Sequence, residues 1–177
     1  MIGRGAIFFD RDGVLIETQI IKGIPVPIRK FSDIEIRPYI KEICSYLNKK
    51  NIPIFMITNQ PDPARGKCSK SFVYKVNSFL SNELKLTKTY TCFDAHDGES
   101  NFRKPKPGMV LRAKKAFNLN LEKSWIIGDR WRDIMISEYV QIKTVFLRNK
   151  GYNEKQVKSD LSFDETEALW RWIKNEF

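Results

Sequence analysis

The fold turns on Phe8-Phe9-Asp10-Arg11-Asp12-Gly13-Val14-Leu15, where an apolar run ends in two carboxylates one residue apart. Residues Ala6 to Phe9 form an uninterrupted apolar stretch of strand length, and Gly13 permits a sharp turn after it. Both acids therefore belong at a strand's C-terminal end. That edge is where open α/β sheets bind ligands. A strand's period of two is expected to aim Asp10 and Asp12 toward the same side. Paired acids there divide labour as nucleophile and proton donor, or hold a hard cation through oxygen. Alone, D-x-D-G is equally a polar turn closing a strand, so the rest of the chain decides.

Outward from this stretch, strand-length apolar runs recur at Ile54 to Ile57, Trp125 to Ile127 and Val145 to Leu147, with a weaker one at Thr89 to Phe93. Helical stripes alternate with them. Ile40, Ile43, Cys44 and Leu47 follow Pro38; Phe72, Val76, Phe79 and Leu80 form a second stripe; Val110, Ala113 and Phe117 follow Pro107. Both prolines suit a first helical position. Glu165 to Phe177 reads as a last amphipathic helix, with Trp170 and Trp172 as core packing. The alternation predicts an α/β fold with a parallel sheet and helices on both faces. Around Lys22-Gly23 the pattern changes to alternating apolar residues with Pro25 and Pro27 nearby, which predicts a small hairpin or flap over the strand ends.

With 177 residues, the chain is long enough for one domain, 1–177, burying roughly 70% of its unfolded surface. No segment approaches the ~20 apolar residues of a membrane span, and no secretory signal is visible. Cys44, Cys68 and Cys92 are odd in number and scattered, which predicts a reducing, cytoplasmic setting. The net charge is +10, and residues 101–150 hold twelve Lys/Arg against four Asp/Glu, so +8 of it arises there. Such a surface attracts anions, either phosphorylated metabolites or nucleic acid, unless it is only a solvated basic face.

Three further polar clusters follow apolar runs. They are Ile57-Thr58-Asn59-Gln60, Arg103-Lys104-Pro105-Lys106-Pro107-Gly108-Met109, and Ile127-Gly128-Asp129-Arg130-Trp131-Arg132-Asp133. In order they supply an acidic pair, hydroxyl and amide donors, a lysine and a further acid pair at one sheet edge, an inventory that fits phosphoryl transfer to a carboxylate. A dianionic phosphate repels an anionic nucleophile, so charge neutralisation is the central requirement. An aspartate of reference pKa ~3.9 is already ionised at neutral pH, and Asp10 needs no base to act as nucleophile. Mg²⁺ held by Asp10, Asp129 and a backbone carbonyl near Asp12 would supply the cation. Lys104 adds positive charge, and Thr58 and Asn59 are candidate donors to the transferring group. Asp12 would protonate the leaving alkoxide and then activate water.

Across residues 5–150 the chain resembles the haloacid dehalogenase superfamily of phosphatases, whose four motifs appear in order. Within it, I-T-N-Q with Ala64-Arg65-Gly66 and R-K-P-K-P-G-M is similar to the group that contains heptose-1,7-bisphosphate and histidinol-phosphate phosphatases. The resemblance implies a three-layer Rossmann-like fold. It further implies Asp10 as nucleophile, Asp12 as acid/base, phosphate binding by Thr58, Asn59 and Lys104, and magnesium at Asp10, Asp12 and Asp129. Asp133 matches an outer-shell partner, and Arg65 and Arg103 match positions expected to meet substrate.

The gaps from Asp10 to Thr58 and from Thr58 to Lys104 leave no room for a large cap domain, so selectivity is expected from the flap and from loops 60–68 and 93–103. Relatives often carry a zinc loop of three cysteines and a histidine before R-K-P. Here Cys92 and His96 are present, but Ser100, Asn101 and Phe102 stand where later cysteines belong, so no zinc site is expected.

The leading expectation is a monomeric, magnesium-dependent phosphatase acting on a small sugar phosphate such as D-glycero-D-manno-heptose 1,7-bisphosphate at its 7-phosphate. A polynucleotide 3′-phosphatase, a histidinol-phosphate phosphatase and a non-catalytic phosphoacceptor are the alternatives. Asp12 argues against the last, because a long-lived phospho-aspartate has no use for a water-activating acid beside it.

Overall fold

A computed structural model describes residues 3–96 and 100–177. In chain order they form strand β1 (Ile7–Phe9), a hairpin of β2 (Gln19–Ile21) and β3 (Ile24–Val26), helix α1 (Ile40–Lys49), β4 (Ile54–Asn59), α2 (Lys70–Leu84) and β5 (Lys88–Cys92). There follow α3 (Gly108–Phe117), β6 (Trp125–Gly128), a single turn α4 (Trp131–Ile134), β7 (Lys143–Leu147), β8 (Leu161–Phe163) and α5 (Thr166–Glu176). Six strands make one parallel sheet in the order β5-β4-β1-β6-β7-β8.

Strand β1 is at the centre and wholly buried, because both its faces are covered. Ile7 and Phe9 point into one core with Ile54, Met56, Ile127 and Val145, under the apolar stripes of α1, α2 and α5. Phe8 points the other way, into a core with Phe55, Ile57 and Ile126 under Met109, Val110 and Ala113 of α3. Near-continuous apolar strands are what a doubly covered parallel sheet requires. Phe8 stacks on Phe55 at 5.1 Å between ring centroids. Burying each such side chain contributes about 1.5–3 kcal/mol, so the sheet edge that β1 reaches is held rigidly.

The expected strands and helices are present, with local differences. In α2 the fully buried residues are Val73, Val76, Asn77, Leu80 and Leu84, whereas Phe72 and Phe79 only pack at the margin of the core. Pro38 does not occupy the first helical position: Tyr39 intervenes in a left-handed conformation (φ 63°) and α1 starts after it. Pro107 stands at the N-cap of α3. Trp172 packs edge-on to Trp125 at 4.7 Å and Trp170 to Tyr46 at 5.5 Å, so both tryptophans border the core rather than lie inside it.

Between β1 and β4 the chain makes only the β2–β3 hairpin, a short 3-10 turn and α1, and among the described residues there is no cap domain. The hairpin's turn is Lys22-Gly23, both with positive φ (51° and 76°), the mirror-image turn that matches the twist of two antiparallel strands. No described helix is long and apolar enough to cross a membrane.

Candidate active site

The chain reverses direction across the sheet at β1, with β4 on one side and β6 on the other, so the C-terminal ends of these strands open onto a topological switch point. Asp10 follows β1, and its amide still donates to the Ile127 carbonyl of β6 at 3.0 Å. Thr58 and Asn59 end β4, Asp129 follows β6, and Lys104 enters from the loop before α3.

Lys104 is 2% exposed, and its ammonium meets three acceptors: Asp10 Oδ1 at 2.8 Å, Asp133 Oδ1 at 2.5 Å and the Ile57 carbonyl at 3.0 Å. The two carboxylates pair with it as ions, and the carbonyl accepts a hydrogen bond from it. Burial alone would lower its pKa, but the Asp10 and Asp133 charges hold it above the ordinary lysine value. Asn59 fixes the backbone of Lys104 in both directions, donating Nδ2 to its carbonyl and accepting its amide on Oδ1, each at 3.1 Å. The structure thus places the Asn59 carboxamide behind the lysine.

Asp10, Asp129 and Asp133, all buried, each bring one carboxylate oxygen within 4.8 Å of the others. Three buried acids face one buried ammonium. Burial first, then the Asp133 charge, raises the Asp10 carboxyl to about 7, although Lys104 opposes the shift. Burial and the Asp10 and Asp133 charges likewise hold Asp129 well above the usual carboxylate range. Asp129 Oδ1 is buried with no hydrogen-bond partner among the described residues. Surplus negative charge, oxygen donors only and an orphaned carboxylate oxygen together fit a small hard divalent cation.

Two glycines permit this crowding. A β-carbon on Gly128 would lie 2.1 Å from Asp133 Cβ, and one on Gly13, which has a φ of +78°, would lie 2.0 Å from Asp129 Oδ2. Asp133 also accepts the Arg130 amide on Oδ2 at 3.1 Å, so it caps α4 while its other oxygen holds Lys104.

Asp12 belongs to a second network. Its carboxylate accepts Arg11 Nε and Nη2, both at 3.1 Å, and Gln60 Nε2 at 2.7 Å; Gln60 Nε2 also reaches Thr58 Oγ1 at 2.8 Å. Arg11 donates further to Gln60 Oε1 at 2.8 Å and to Asn77 Oδ1 at 3.0 Å. The Asp12 side chain is thus not one of the three clustered carboxylates. Strand β1 stops at Phe9 and Asp12 sits in a turn bridged to Ile16, so the period of two that would have aligned both acids does not extend to it.

Arg65 and Arg103 converge on one loop: Arg65 Nη2 donates to the Ala95 carbonyl and Arg103 Nη1 to the Asp94 carbonyl, each at 2.8 Å. Of loop 93–103, residues 97–99 lie outside the described residues. Cys92 is buried and donates to Asp94 Oδ2 at 3.2 Å, while His96 is exposed.

Sequence reasoning assigned nothing to Arg11, Gln60 and Asn77, nor to Asn149, whose Nδ2 donates to Asp129 Oδ2 at 3.1 Å. A fully charged arginine wedged between two acids at the end of a buried strand was the available signal for the first.

A family model described as haloacid dehalogenase-like hydrolase matches residues 20–138. A D-glycero-alpha-D-manno-heptose-1,7-bisphosphate 7-phosphatase of Campylobacter jejuni is 33% identical over 171 residues, covering 89% of this chain and 94% of that protein. A D-glycero-beta-D-manno-heptose-1,7-bisphosphate 7-phosphatase of Haemophilus ducreyi is 29% identical, covering 90% of this chain and 93% of that protein. Among solved structures, the D,D-heptose 1,7-bisphosphate phosphatase of B. bronchiseptica, complexed with magnesium and phosphate, superposes with a TM-score of 0.80 at 17% identity over 98% of this chain and 99% of that one.

Proposed function

Because the chain belongs to the haloacid dehalogenase-like hydrolases and is a phosphatase, we propose that it removes the 7-phosphate of D-glycero-D-manno-heptose 1,7-bisphosphate, with Asp10 as nucleophile. The observation that carries this reading is the buried Asp10 carboxylate at the end of the central strand, joined to Lys104 and crowded by Asp129 and Asp133. The names of the relatives support the substrate.

Magnesium held by Asp10, Asp129 and the main chain at Asp12 would offset the negative charge that nucleophile and phosphate bring together. Asp10 attacks phosphorus through one carboxylate oxygen as the bond to the sugar oxygen breaks, giving an aspartyl phosphate. Lys104 balances charge on Asp10 and, through the Asn59 clamp on its backbone, stays in place during the transfer. Asp12 delivers its proton to the departing alkoxide, then accepts one from the water that cleaves the acyl phosphate. Gln60, bonded to both Asp12 and Thr58, orients that acid. Arg65 and Arg103 shape the rim that meets the rest of the substrate. Cys44, Cys68 and Cys92 are free thiols, in keeping with action in the cytoplasm.

Purified protein is assayed with magnesium on both anomers of heptose bisphosphate, on histidinol phosphate and on a 3′-phosphorylated oligonucleotide. Heptose bisphosphate is expected to have the highest kcat/KM; preference for the oligonucleotide would replace the substrate. The step assignment is tested with Asp12→Asn and an aryl phosphate, whose phenolate leaves without a proton. A burst followed by slow turnover, with phosphorylated protein seen by rapid-quench mass analysis, is expected. Unchanged steady-state rates on the sugar phosphate and no phosphorylated protein would show that Asp12 is not the acid/base.

A further inference from the structure

The segment that follows β7 turns back over the site, beyond the residues matched by the family model. Asn149 Nδ2 donates to Asp129 Oδ2 at 3.1 Å and to the Gly13 carbonyl at 3.0 Å, so one carboxamide ties the β6 acid to the turn after β1. The Tyr152 hydroxyl stands beside Asp129 on the same side. A β-carbon at Gly13 would lie 2.0 Å from Asp129 Oδ2 and 2.8 Å from the Tyr152 hydroxyl, which puts both on the same side of Asp129. The ring of Tyr152 is kept there by the Arg130 guanidinium, 5.8 Å from its centroid, and Arg130 is in turn paired with Glu154.

A carboxylate on a short side chain rotates freely unless one oxygen is fixed. With Oδ2 held by Asn149 and flanked by the Tyr152 hydroxyl, Oδ1 is left buried and without a hydrogen-bond partner among the described residues, beside Asp10 and Asp133. The same segment carries the flap: Asn153 donates its amide to the Gly23 carbonyl at 2.9 Å, and its carboxamide fills the space where a side chain on Gly23 would be. Residues 149–154 therefore touch the flap, the turn after the nucleophile and the β6 acid together.

We propose that Asn149 and Tyr152 are positioning residues that fix the Asp129 carboxylate for the divalent cation. This rests on the magnesium-dependent reading above. Groups that orient metal ligands are typically worth 10- to 100-fold in metal affinity. Neither residue needs to touch substrate.

The test is titration of metal-free protein with magnesium by calorimetry, with turnover of an aryl phosphate followed against magnesium concentration. Tyr152→Phe retains the ring and removes only the hydroxyl, so the packing on Arg130 persists. Tyr152→Phe and Asn149→Ala are each expected to weaken magnesium binding by about tenfold or more and to recover kcat at saturating magnesium. Lys150→Ala, in an exposed ion pair on the same segment, is expected to bind magnesium as the wild type does. A Tyr152→Phe dissociation constant within twofold of the wild-type value would overturn the proposal, as would a lowered melting temperature with unchanged magnesium affinity. Wild-type protein that binds no magnesium overturns both this and the function. The expected shifts in a protein inactive on heptose bisphosphate would support the positioning role while removing the substrate.

Discussion

Two buried cations sit at the same edge of the sheet, each 2% exposed, and their surroundings differ. The Arg11 guanidinium faces a single carboxylate, Asp12, and its remaining hydrogen bonds go to the neutral amides of Gln60 and Asn77. Charge balances there, and the network continues through Asn77 Nδ2 to Thr91 Oγ1 at 2.9 Å, so it joins β1, β4, α2 and β5. Lys104 instead faces Asp10 and Asp133, with Asp129 beside them. The first arrangement is balanced without a further cation. The second is stable only with its carboxyls held partly protonated or with added positive charge, which is the condition of a binding site.

Asp10→Asn breaks the contrast most sharply. Removing the proposed nucleophile is expected to reduce turnover by ~10⁴-fold or more, while removing one of three crowded acids is expected to raise the melting temperature of the metal-free protein. Retention of a tenth of the wild-type rate would show that Asp10 does not attack.

Arg11→Met should do the reverse to stability. It leaves Asp12 without its cation and the amide oxygens of Gln60 and Asn77 without a donor, a loss of about 3 kcal/mol and roughly 10 °C in melting temperature for a chain of this size. A thermal shift under 2 °C, read by calorimetry, would mean that the balanced network is not a frame.

The smallest effect concerns pH. Burial and the Asp133 charge raise the Asp10 carboxyl to about 7 in the metal-free site. Because that folded value lies above the unfolded one, this group favours the folded state at low pH and loses that advantage as pH rises toward 7. A cation must displace the proton below 7 and finds the carboxylate ready above it. Magnesium affinity is therefore expected to rise about tenfold from pH 6 to pH 8, and calorimetric dissociation constants equal at the two values would contradict the crowding.

The sheet was legible because burial on both faces makes the central parts of β1, β4, β6 and β7 apolar runs. Strand β8 was not, since Leu161-Ser162-Phe163 is short, pairs on one side only and is half-buried, and so needs no such run. Asp10, Lys104, Asp129 and Asp133 could be placed together because each follows or precedes a visible element. The direction of Asp12 could not, because a period of two applies only while the strand lasts and β1 ends at Phe9. Asn149 and Tyr152 meet Asp129 and Gly13 across the fold, and no local pattern of residues encodes a contact of that kind.

The position of β1 also governs how the molecule is assembled. It is synthesised before both of its partners, residues 54–56 and residues 125–127, the latter more than a hundred residues further on. Until β6 is made, Ile7-Phe8-Phe9 has an open edge, and Asp10 behind it has no fixed place. Contacts this distant in sequence close slowly, so during synthesis this apolar strand is an aggregation-prone segment. A chain truncated before Trp125 keeps that edge permanently exposed and should aggregate rather than survive as a half-enzyme.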